Sequence, residues 1–409
     1  MPVTIGMNDK QSEHTEYSEQ KSNKSLPRFI ESVNTELSRL SCFVGKSLEI
    51  IKINSGFSQQ VFKVSTVEVS VSGKDKDKDK HKRKEKDKCR ENKQANCSTS
   101  PNTALEPEFY IAKRFSDKTT AQLEAFVQRF LADKALSPKI IYCEGQWLVS
   151  EFIDKPLLSQ LTLSEEEKIT IATSALAKFH RAFNIATDTR NITKLDLVSV
   201  LSELVSELKE LEVGLAESDQ QLISKAVSFA KALQHDVDLF SIQSKASKTK
   251  ASKVKASKVE TSNSMTDCTA TNKSHRQLQH SANLVVVHGD LNYTNLLVSQ
   301  TNKDIDACVI DFESVAMAPV EYDLGMLMAI NNVPLSLTSL TVKNYLKSSL
   351  KLRKINLEEV TRYAFISSII NWLWFLGQAG DKFNNSCVEN YKAMALKQKN
   401  YAKMVISAV

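Results

Sequence analysis

A single change in hydrophobic periodicity along the chain constrains its fold more than any other feature. Short runs rich in Ile, Val, Phe and Tyr read as strands at 47–54, 60–71, 108–116, 139–145 and 147–153. A helical pattern at 119–136 interrupts them, with Leu123, Val127 and Phe130 on one face. From Leu161 onward helical spacing dominates. The pattern predicts an α+β fold in which a small β-sheet with one helix precedes a mainly helical part.

Two lysine-rich tracts interrupt this order of elements. Residues 74–93 and 245–260 each carry a net charge of +5, whereas the whole chain carries +6, so the remainder is mildly acidic at −4. Low-complexity segments of this kind cannot bury a core, and we expect disordered insertions at 72–106 and 242–282. Such tracts suit contact with nucleic acid or an anionic membrane, but a solvated loop is the simpler interpretation.

The sequence predicts three parts and a cytoplasmic location. A disordered N-terminus (1–26) is followed by an N-terminal lobe (27–153) and a helical C-terminal lobe (154–409). The seven cysteines are scattered without a CxxC pair, which is typical of reduced thiols. The N-terminus lacks the apolar core of a signal peptide, and no apolar run approaches the ~20 residues of a transmembrane segment.

Two segments carry side chains suited to catalysis. "HGDLNYTNLL" begins at His288 and follows the short apolar run at 283–287, and "VIDFE" places Asp311 directly after another apolar run. Strand ends hold loop side chains firmly, so Asp290, Asn295 and Asp311 are expected around one polyphosphate. Oxygen atoms of Asn295 and Asp311 suit Mg²⁺. The Asp290 carboxylate is then available to accept a proton from an attacking hydroxyl.

The same two segments resemble the aminoglycoside phosphotransferase and choline kinase superfamily. The pattern is His288-Gly289-Asp290 with Asn295, followed about twenty residues later by 310–313, "IDFE". A lone HxD would be a weak signal, whereas the ordered pair is specific. The resemblance implies a bilobal, protein-kinase-like fold and a phosphotransferase that uses ATP and Mg²⁺. It makes Asp290 the catalytic base.

The resemblance also implies roles for residues of the N-terminal lobe. Lys113, in "YIAKRF", matches the strand lysine that holds the α- and β-phosphates, and Glu124 is the candidate for its ion-pair partner. Gly56, in "NSGFSQ", lies where the phosphate-covering loop is expected. Glu151 and Phe152 occupy the interlobe hinge, where backbone groups would meet adenine.

Several neighbouring side chains are expected to support the site. His288 is predicted to hold the loop through a hydrogen bond, and Asp323 matches a position that buttresses the catalytic region. Glu313 is expected either near metal or substrate or in an internal pair. His180, in "LAKFHRAF", borders an apolar helix face and is expected at the edge of the core.

The acceptor is expected to be a small-molecule alcohol. "IINWLWFLGQAG" contains Trp372 and Trp374 and resembles the acceptor-site helices of choline and ethanolamine kinases, where aromatic faces hold a cation. Residues that are two apart in a helix point about 200° away from each other, so one Trp should face the cleft and the other the core. We expect Trp372 in the cleft. Choline, ethanolamine and thiamine fit the acidic body; an aminoglycoside or a sugar is the alternative acceptor.

The sequence leaves two other classes of function to consider. A protein kinase is disfavoured, because the His288 segment lacks the Arg of HRD and no APE-type segment follows Asp311. A scaffold that binds nucleic acid or membranes through its lysine tracts, with an inactive kinase-like body, is the non-enzyme alternative. The intact set of Lys113, Asp290, Asn295 and Asp311 argues against an inactive body.

Overall fold

The computed structural model describes most of the chain, in two compact units. The described residues are 28–53, 60–68, 108–183, 189, 191–254, 284–300, 305–349, 354–380 and 387–409. The first unit comprises Met1–Lys118 and Ile140–Phe152, and the second comprises Thr119–Lys139 and Ile153–Val409. Gly56 and the tract at 74–93 lie outside the described residues, so the expectations for them stay predictions.

The first unit is a five-stranded antiparallel sheet with a helix, α1, at residues 28–37. The strands lie in the order β1-β2-β3-β5-β4. The five predicted strands are present, whereas α1 was not predicted. Their bounds are β1 (Lys46–Ile53), β2 (Gln60–Glu68), β3 (Glu108–Arg114), β4 (Ile140–Glu144) and β5 (Trp147–Glu151).

Apolar side chains cover one face of this sheet. The cluster that they form with α1 and the turn after it contains Val33, Leu37, Leu40, Phe43, Phe62, Val64, Ala112, Trp147 and Val149. Side chains alternate between the faces of a strand. Lys113, which follows Ala112, therefore points to the opposite face, where it pairs across the sheet with Val61 and Leu148.

The second unit is mainly helical, as the periodicity predicted. Four short strands form two antiparallel pairs, β6 with β9 and β7 with β8. These strands are β6 (Val285–Val287), β7 (Leu296–Gln300), β8 (Ile305–Val309) and β9 (Ala316–Ala318). The helices are α2 (Lys118–Ala132), α3 (Glu165–Ala182), α4 (Leu197–Glu210), α5 (Glu217–Val254), α6 (Val320–Asn331), α7 (Thr338–Ser349), α8 (Leu357–Gly380) and α9 (Val388–Ile406).

Local signals explain where several of these helices begin. Helix α3 starts with the predicted capping box: the Ser164 N–H donates to the Glu167 carboxylate at 2.8 Å, and the Glu167 N–H donates to the Ser164 hydroxyl at 3.3 Å. Asp196 caps α4 in a similar way and accepts the N–H groups of Val198 and Ser199. One large apolar cluster then joins the helices to the two strand pairs.

Helix α5 corrects one sequence-based expectation. The second insertion was predicted to be disordered from residue 242, but the helix continues to Val254, inside the lysine-rich tract. Ala and Lys are good helix formers, and extending an existing helix adds one hydrogen bond for each residue fixed. The expectation for residues 255–282 lies outside the described residues. None of the helices described is long and apolar enough to cross a bilayer.

Candidate active site

The loop between β6 and β7 carries the predicted catalytic Asp290. Val285–Val287 is a buried strand, and a short 3-10 turn at Tyr293–Asn295 leads into β7. The Asn292 side chain caps this turn by accepting the Thr294 N–H at 2.7 Å. Gly289 has a φ of +80°, and a Cβ there would lie 2.2 Å from the Ser314 carbonyl oxygen. Both facts explain the need for glycine at this position.

Asp323, from the first turn of α6, holds this loop by its backbone. One carboxylate oxygen accepts the His288 N–H at 2.8 Å and the other accepts the Gly289 N–H at 2.9 Å. The side chain is fully buried. Burial by itself would raise the pKa of Asp323, but the hydrogen bond from His180, the two nearby imidazoles and the Gly289 N–H outweigh it and lower the pKa. The geometry agrees with the supporting role expected for Asp323.

His288 links the loop that carries Asp290 to the segment that follows β8. Its Nδ1 lies 3.3 Å from the Asp290 N–H, and its Nε2 lies 3.1 Å from the Ile310 carbonyl oxygen. Because the N–H donates and the carbonyl accepts, the ring is neutral and carries its proton on Nε2. Burial lowers the pKa of His288, which favours the same neutral form. The expected loop-holding hydrogen bond is therefore present.

Asp290 and Asn295 meet inside the loop. The Asn295 side-chain amide donates to the Asp290 carbonyl oxygen at 2.9 Å and approaches its carboxylate at 3.4 Å. Burial raises the pKa of Asp290 well above its ordinary value, and the carboxylates of Asp311 and Glu313 raise it further. A raised pKa makes the ionised carboxylate a stronger proton acceptor, which suits the role predicted for Asp290.

Three carboxylates gather beside this loop. One oxygen from each of Glu124, Asp311 and Glu313 lies within 4.8 Å of the other two. Glu124 is only 2% exposed, and Asp311 has a left-handed φ of +69°. Carboxylates brought this close together repel one another unless a cation offsets their charge. A set of hard oxygen atoms of this kind suits Mg²⁺.

This grouping differs in composition from the predicted metal ligands, Asn295 and Asp311. Glu124, expected beside Lys113, and Glu313, left open between metal, substrate and an internal pair, both lie with Asp311. The helix pattern did place Glu124 on α2, but no sequence pattern relates α2 to the end of β8. The pairing of Lys113 with Glu124 stays a prediction, as does the choice of metal ligands.

The remaining predicted nucleotide residues lie in the first unit. Lys113 is 7% exposed, with its ammonium 4.8 Å from the Phe115 ring centroid. The Phe152 N–H donates to the Phe109 carbonyl at 3.2 Å, so this N–H is already used within the sheet. Glu151, at the end of β5, pairs with Tyr110 in the sheet register. The expected contact of Glu151 and Phe152 with adenine stays a prediction.

Lys63 contacts Phe152 within the first unit, and the sequence did not indicate this contact. Its ammonium lies 3.9 Å from the centroid of the Phe152 ring and 4.8 Å from that of Phe109. The sequence pattern predicts that Lys63 lies in a strand, but nothing in this pattern predicts an aromatic partner about ninety residues later in the chain.

The two tryptophans of α8 have opposite environments. Trp372 is 2% exposed, and the Lys399 ammonium lies 5.1 Å from its ring centroid while forming an ion pair with Asp219. Trp374 is partly exposed and lies 5.2 Å from the Phe375 ring and 6.4 Å from the Tyr391 ring. The difference in exposure between the two rings follows from the helical geometry. Which of the two rings meets the acceptor stays a prediction; Trp372 is covered by Lys399 of helix α9, whereas Trp374 is not fully buried.

Sequence reasoning missed two groups that hold the catalytic loop. Asn331, at the end of α6, accepts the Tyr293 N–H at 2.9 Å and donates to the Leu291 carbonyl at 3.3 Å. His180, expected only at a core edge, contacts Asp323 and Tyr345. The polar pair at 331–332, where an apolar helix ends, was a signal for a cap but not for a contact with this loop.

The family comparison agrees with this geometry. Residues 109–334 match the family model for choline/ethanolamine kinases. A comparison with curated protein sequences gives no match.

Solved structures of choline kinases share the fold. Choline kinase from Cryptosporidium parvum is 18% identical with a TM-score of 0.51, covering 88% of this chain and 90% of that chain. Choline kinase LicA from Streptococcus pneumoniae is 14% identical with a TM-score of 0.51, covering 91% and 100%. A complex of LicA with AMP is 16% identical with a TM-score of 0.51, covering 91% and 98%. Similarity at this identity establishes the α+β, protein-kinase-like fold that the motifs predicted.

Proposed function

The chain belongs to the choline/ethanolamine kinase family, and we propose that its acceptor is a cationic alcohol such as choline, ethanolamine or thiamine. Family membership makes it a small-molecule phosphotransferase, as the two motifs predicted. In the proposed reaction the γ-phosphoryl group of ATP moves to the acceptor hydroxyl, and ADP leaves. The nucleotide complex of a protein with the same fold supports the use of a nucleotide.

The observation that carries the proposal is the placement of Asp290. Its backbone N–H meets the His288 ring, and its carbonyl and carboxylate meet the Asn295 amide. The pKa of its carboxyl group is raised well above the ordinary value. In the proposed mechanism, Asp290 accepts the proton of the acceptor hydroxyl as its oxygen attacks phosphorus. Phosphoryl transfer requires little other covalent chemistry from the protein, so positioning and charge account for most of the catalysis.

The carboxylates beside Asp290 fit the metal that this reaction requires. Asp311 and Glu313 offer hard oxygen atoms within 4.8 Å of each other, Glu124 adds a third, and the Asn295 carbonyl oxygen is the fourth candidate donor. When bound, Mg²⁺ would neutralise the charge of the β- and γ-phosphates. Lys113 is proposed to hold the α- and β-phosphates. The carboxylates would hold this metal ion, and Asp290 accepts the proton of the acceptor hydroxyl.

The acceptor class rests on charge and aromatic surface. Outside the two lysine tracts the chain has a net charge of −4, which attracts a cation. Trp374 is partly exposed beside Phe375 and Tyr391, and aromatic faces of this kind bind ammonium groups. We therefore propose Trp374, rather than Trp372, as the residue that meets the acceptor.

An acceptor screen with a neutral analogue tests the proposal. The purified full-length chain is supplied with ATP, Mg²⁺ and one of choline, ethanolamine, thiamine, a sugar or an aminoglycoside, and ADP release is measured. The neutral isostere of choline, 3,3-dimethyl-1-butanol, is the matched control. We expect choline-like cations to give the highest kcat/KM. Loss of a cation–π contact of about 2 kcal/mol would make the isostere roughly 30-fold poorer.

Three outcomes would contradict parts of this proposal. Equal rates with choline and its isostere would remove the argument for a cation. Turnover with only the sugar or the aminoglycoside would move the enzyme to the alternative acceptor class. No acceptor-dependent ADP release from a folded, ATP-binding protein would support the scaffold interpretation.

A further inference from the structure

A chain of buried hydrogen bonds connects helix α7 to the catalytic loop. The His180 Nε2 lies 2.9 Å from the Asp323 carboxylate, and the His180 Nδ1 lies 2.9 Å from the Tyr345 hydroxyl. His180 and Tyr345 are each 2% exposed, and Asp323 is fully buried. Asp323 in turn accepts the backbone N–H groups of His288 and Gly289. Gly289, the residue before the proposed base, is thus linked to His180 of α3 by two hydrogen bonds that meet at Asp323.

The chemistry of Asp323 fixes the donor at one end of this chain. The Asp323 carboxylate can only accept, so the Nε2 of His180 donates to it. The His180 Nδ1 and the Tyr345 hydroxyl share the second hydrogen bond of this ring. Tyr345 therefore orients the His180 ring, and His180 orients the Asp323 carboxylate. This carboxylate holds the two backbone N–H groups of the loop.

His180 limits the orientation of the Asp323 carboxylate. The last torsion of an aspartate side chain has a broad, roughly two-fold preference and does not select an orientation by itself. Two backbone N–H groups and one imidazole N–H approach the two oxygens from fixed directions. Removal of the imidazole leaves a buried carboxylate with one less donor, and its orientation toward His288 and Gly289 is then less defined.

The same turn of α3 also packs against the rings around the site. Phe179 lies 5.8 Å from the His288 ring and 6.2 Å from the Phe312 ring, with which it stacks. The His180 and Tyr345 rings meet edge to face at 5.6 Å. Residues 179–180 therefore contact both segments of the catalytic pattern.

We propose that His180, oriented by Tyr345, is a positioning residue for phosphoryl transfer, acting through Asp323 to fix the backbone that carries Asp290. This inference rests on the proposed role of Asp290. A purely structural role would affect the whole fold equally. A positioning role instead requires that loss of the imidazole N–H changes the loop and kcat more than it changes the stability of the rest of the fold.

Four variants of the full-length chain separate these roles. His180→Leu removes both ring nitrogens, whereas His180→Gln restores a side-chain N–H donor near the Nε2 position. Tyr345→Phe removes only the hydroxyl and keeps the ring. Thr173→Val is the matched control, because Thr173 is fully buried on the same helix and its hydroxyl bonds only to the Ile169 and Thr170 carbonyls among the contacts described.

The readouts are kcat, the KM values, thermal unfolding and amide hydrogen exchange of a peptide spanning 285–292. For His180→Leu we expect kcat to fall roughly 10- to 100-fold with the KM for ATP within about threefold, since a misplacement of about 1 Å can have such an effect. Exchange at His288 and Gly289 should be faster. His180→Gln should recover most of the loss, and Tyr345→Phe should show a smaller loss in the same direction.

Several results would overturn the inference. It is wrong if His180→Leu matches Thr173→Val in kcat and loop exchange, or if His180→Gln is as impaired as His180→Leu. If His180→Leu does not fold, unchanged kcat and exchange in Tyr345→Phe would overturn it. Failure of the proposed function looks different: the wild-type chain would then turn over none of the acceptors, while the exchange difference between variants would persist.

Discussion

Replacement of Gly289 by alanine tests whether the catalytic loop has only one allowed conformation. The φ of Gly289 is +80°, and an added Cβ would lie 2.2 Å from the Ser314 carbonyl oxygen. The Gly289 N–H also donates to Asp323, so the residue cannot rotate away without losing that bond. Either the loop or the segment after β8 must move.

Gly45 provides an unusually close control for the size of this effect. Its φ is +79°, and no atom lies within 4 Å of its added Cβ. A left-handed alanine costs about 1–2 kcal/mol at either position. Steric overlap adds about 1–3 kcal/mol at Gly289. We therefore expect the free energy of unfolding to fall by about 1–2 kcal/mol in Gly45→Ala and by about 2–5 kcal/mol in Gly289→Ala.

Denaturant unfolding and steady-state kinetics measure the two consequences. A displacement of Asp290 by about 1 Å should lower kcat by up to roughly 100-fold in Gly289→Ala, whereas Gly45→Ala should retain its turnover. Equal destabilisation and equal kcat in the two variants would refute the reasoning, because they would show that the loop accommodates a side chain without moving its base.

Three further predictions concern the metal, the acceptor and pH. Asp311→Asn should abolish turnover but leave the melting temperature nearly unchanged, since Asn also tolerates a left-handed φ; near-normal turnover would exclude the metal role. Trp372→Ala should lower the unfolding free energy by about 3–5 kcal/mol, and Trp374→Ala should raise the acceptor KM by the roughly 2- to 30-fold that corresponds to a cation–π contact of about 0.5–2 kcal/mol; an acceptor KM changed only in Trp372→Ala would reverse the assignment. Because the pKa of Asp323 is lowered on folding, its stabilisation is present above the unfolded pKa of about 3.9 and is lost as pH falls through the lower folded value. The loss of unfolding free energy in Asp323→Asn, measured by denaturant unfolding, should thus be constant between about pH 5 and 8 and should become smaller below about pH 4. A loss that becomes larger at low pH would contradict this prediction.

The sequence predicted the parts of this molecule that depend on local patterns. Alternating apolar residues marked the five strands of the first unit, and the Ser164–Glu167 pair marked the start of α3. The positions of Asp290 and Asp311 shortly after β6 and β8 followed from apolar runs that precede polar residues. Each of these features depends on residues that are close together in the chain.

Features that depend on packing between distant segments were not predictable in this way. Periodicity placed His180 on α3 but could not relate it to Asp323, 143 residues later, or to Tyr345. The position of Glu124 beside Asp311 has the same origin, since it depends on how α2 packs near the end of β8. The two tryptophans show the limit most clearly. Their opposite directions follow from helix geometry, whereas the packing of Trp372 into the core and against Lys399 of α9 depends on distant segments.

The most direct test of the account is transfer of the γ-phosphoryl group from ATP to the best acceptor of the screen, compared between the wild-type chain and Asp290→Asn. Asn keeps the size of the side chain and loses its ability to accept the proton. With ATP binding and the melting temperature unchanged, we predict that kcat falls roughly 100- to 10,000-fold, the range of general-base catalysis. A folded Asp290→Asn variant that transfers phosphate at a near-normal rate would contradict the central claim that Asp290 is the base.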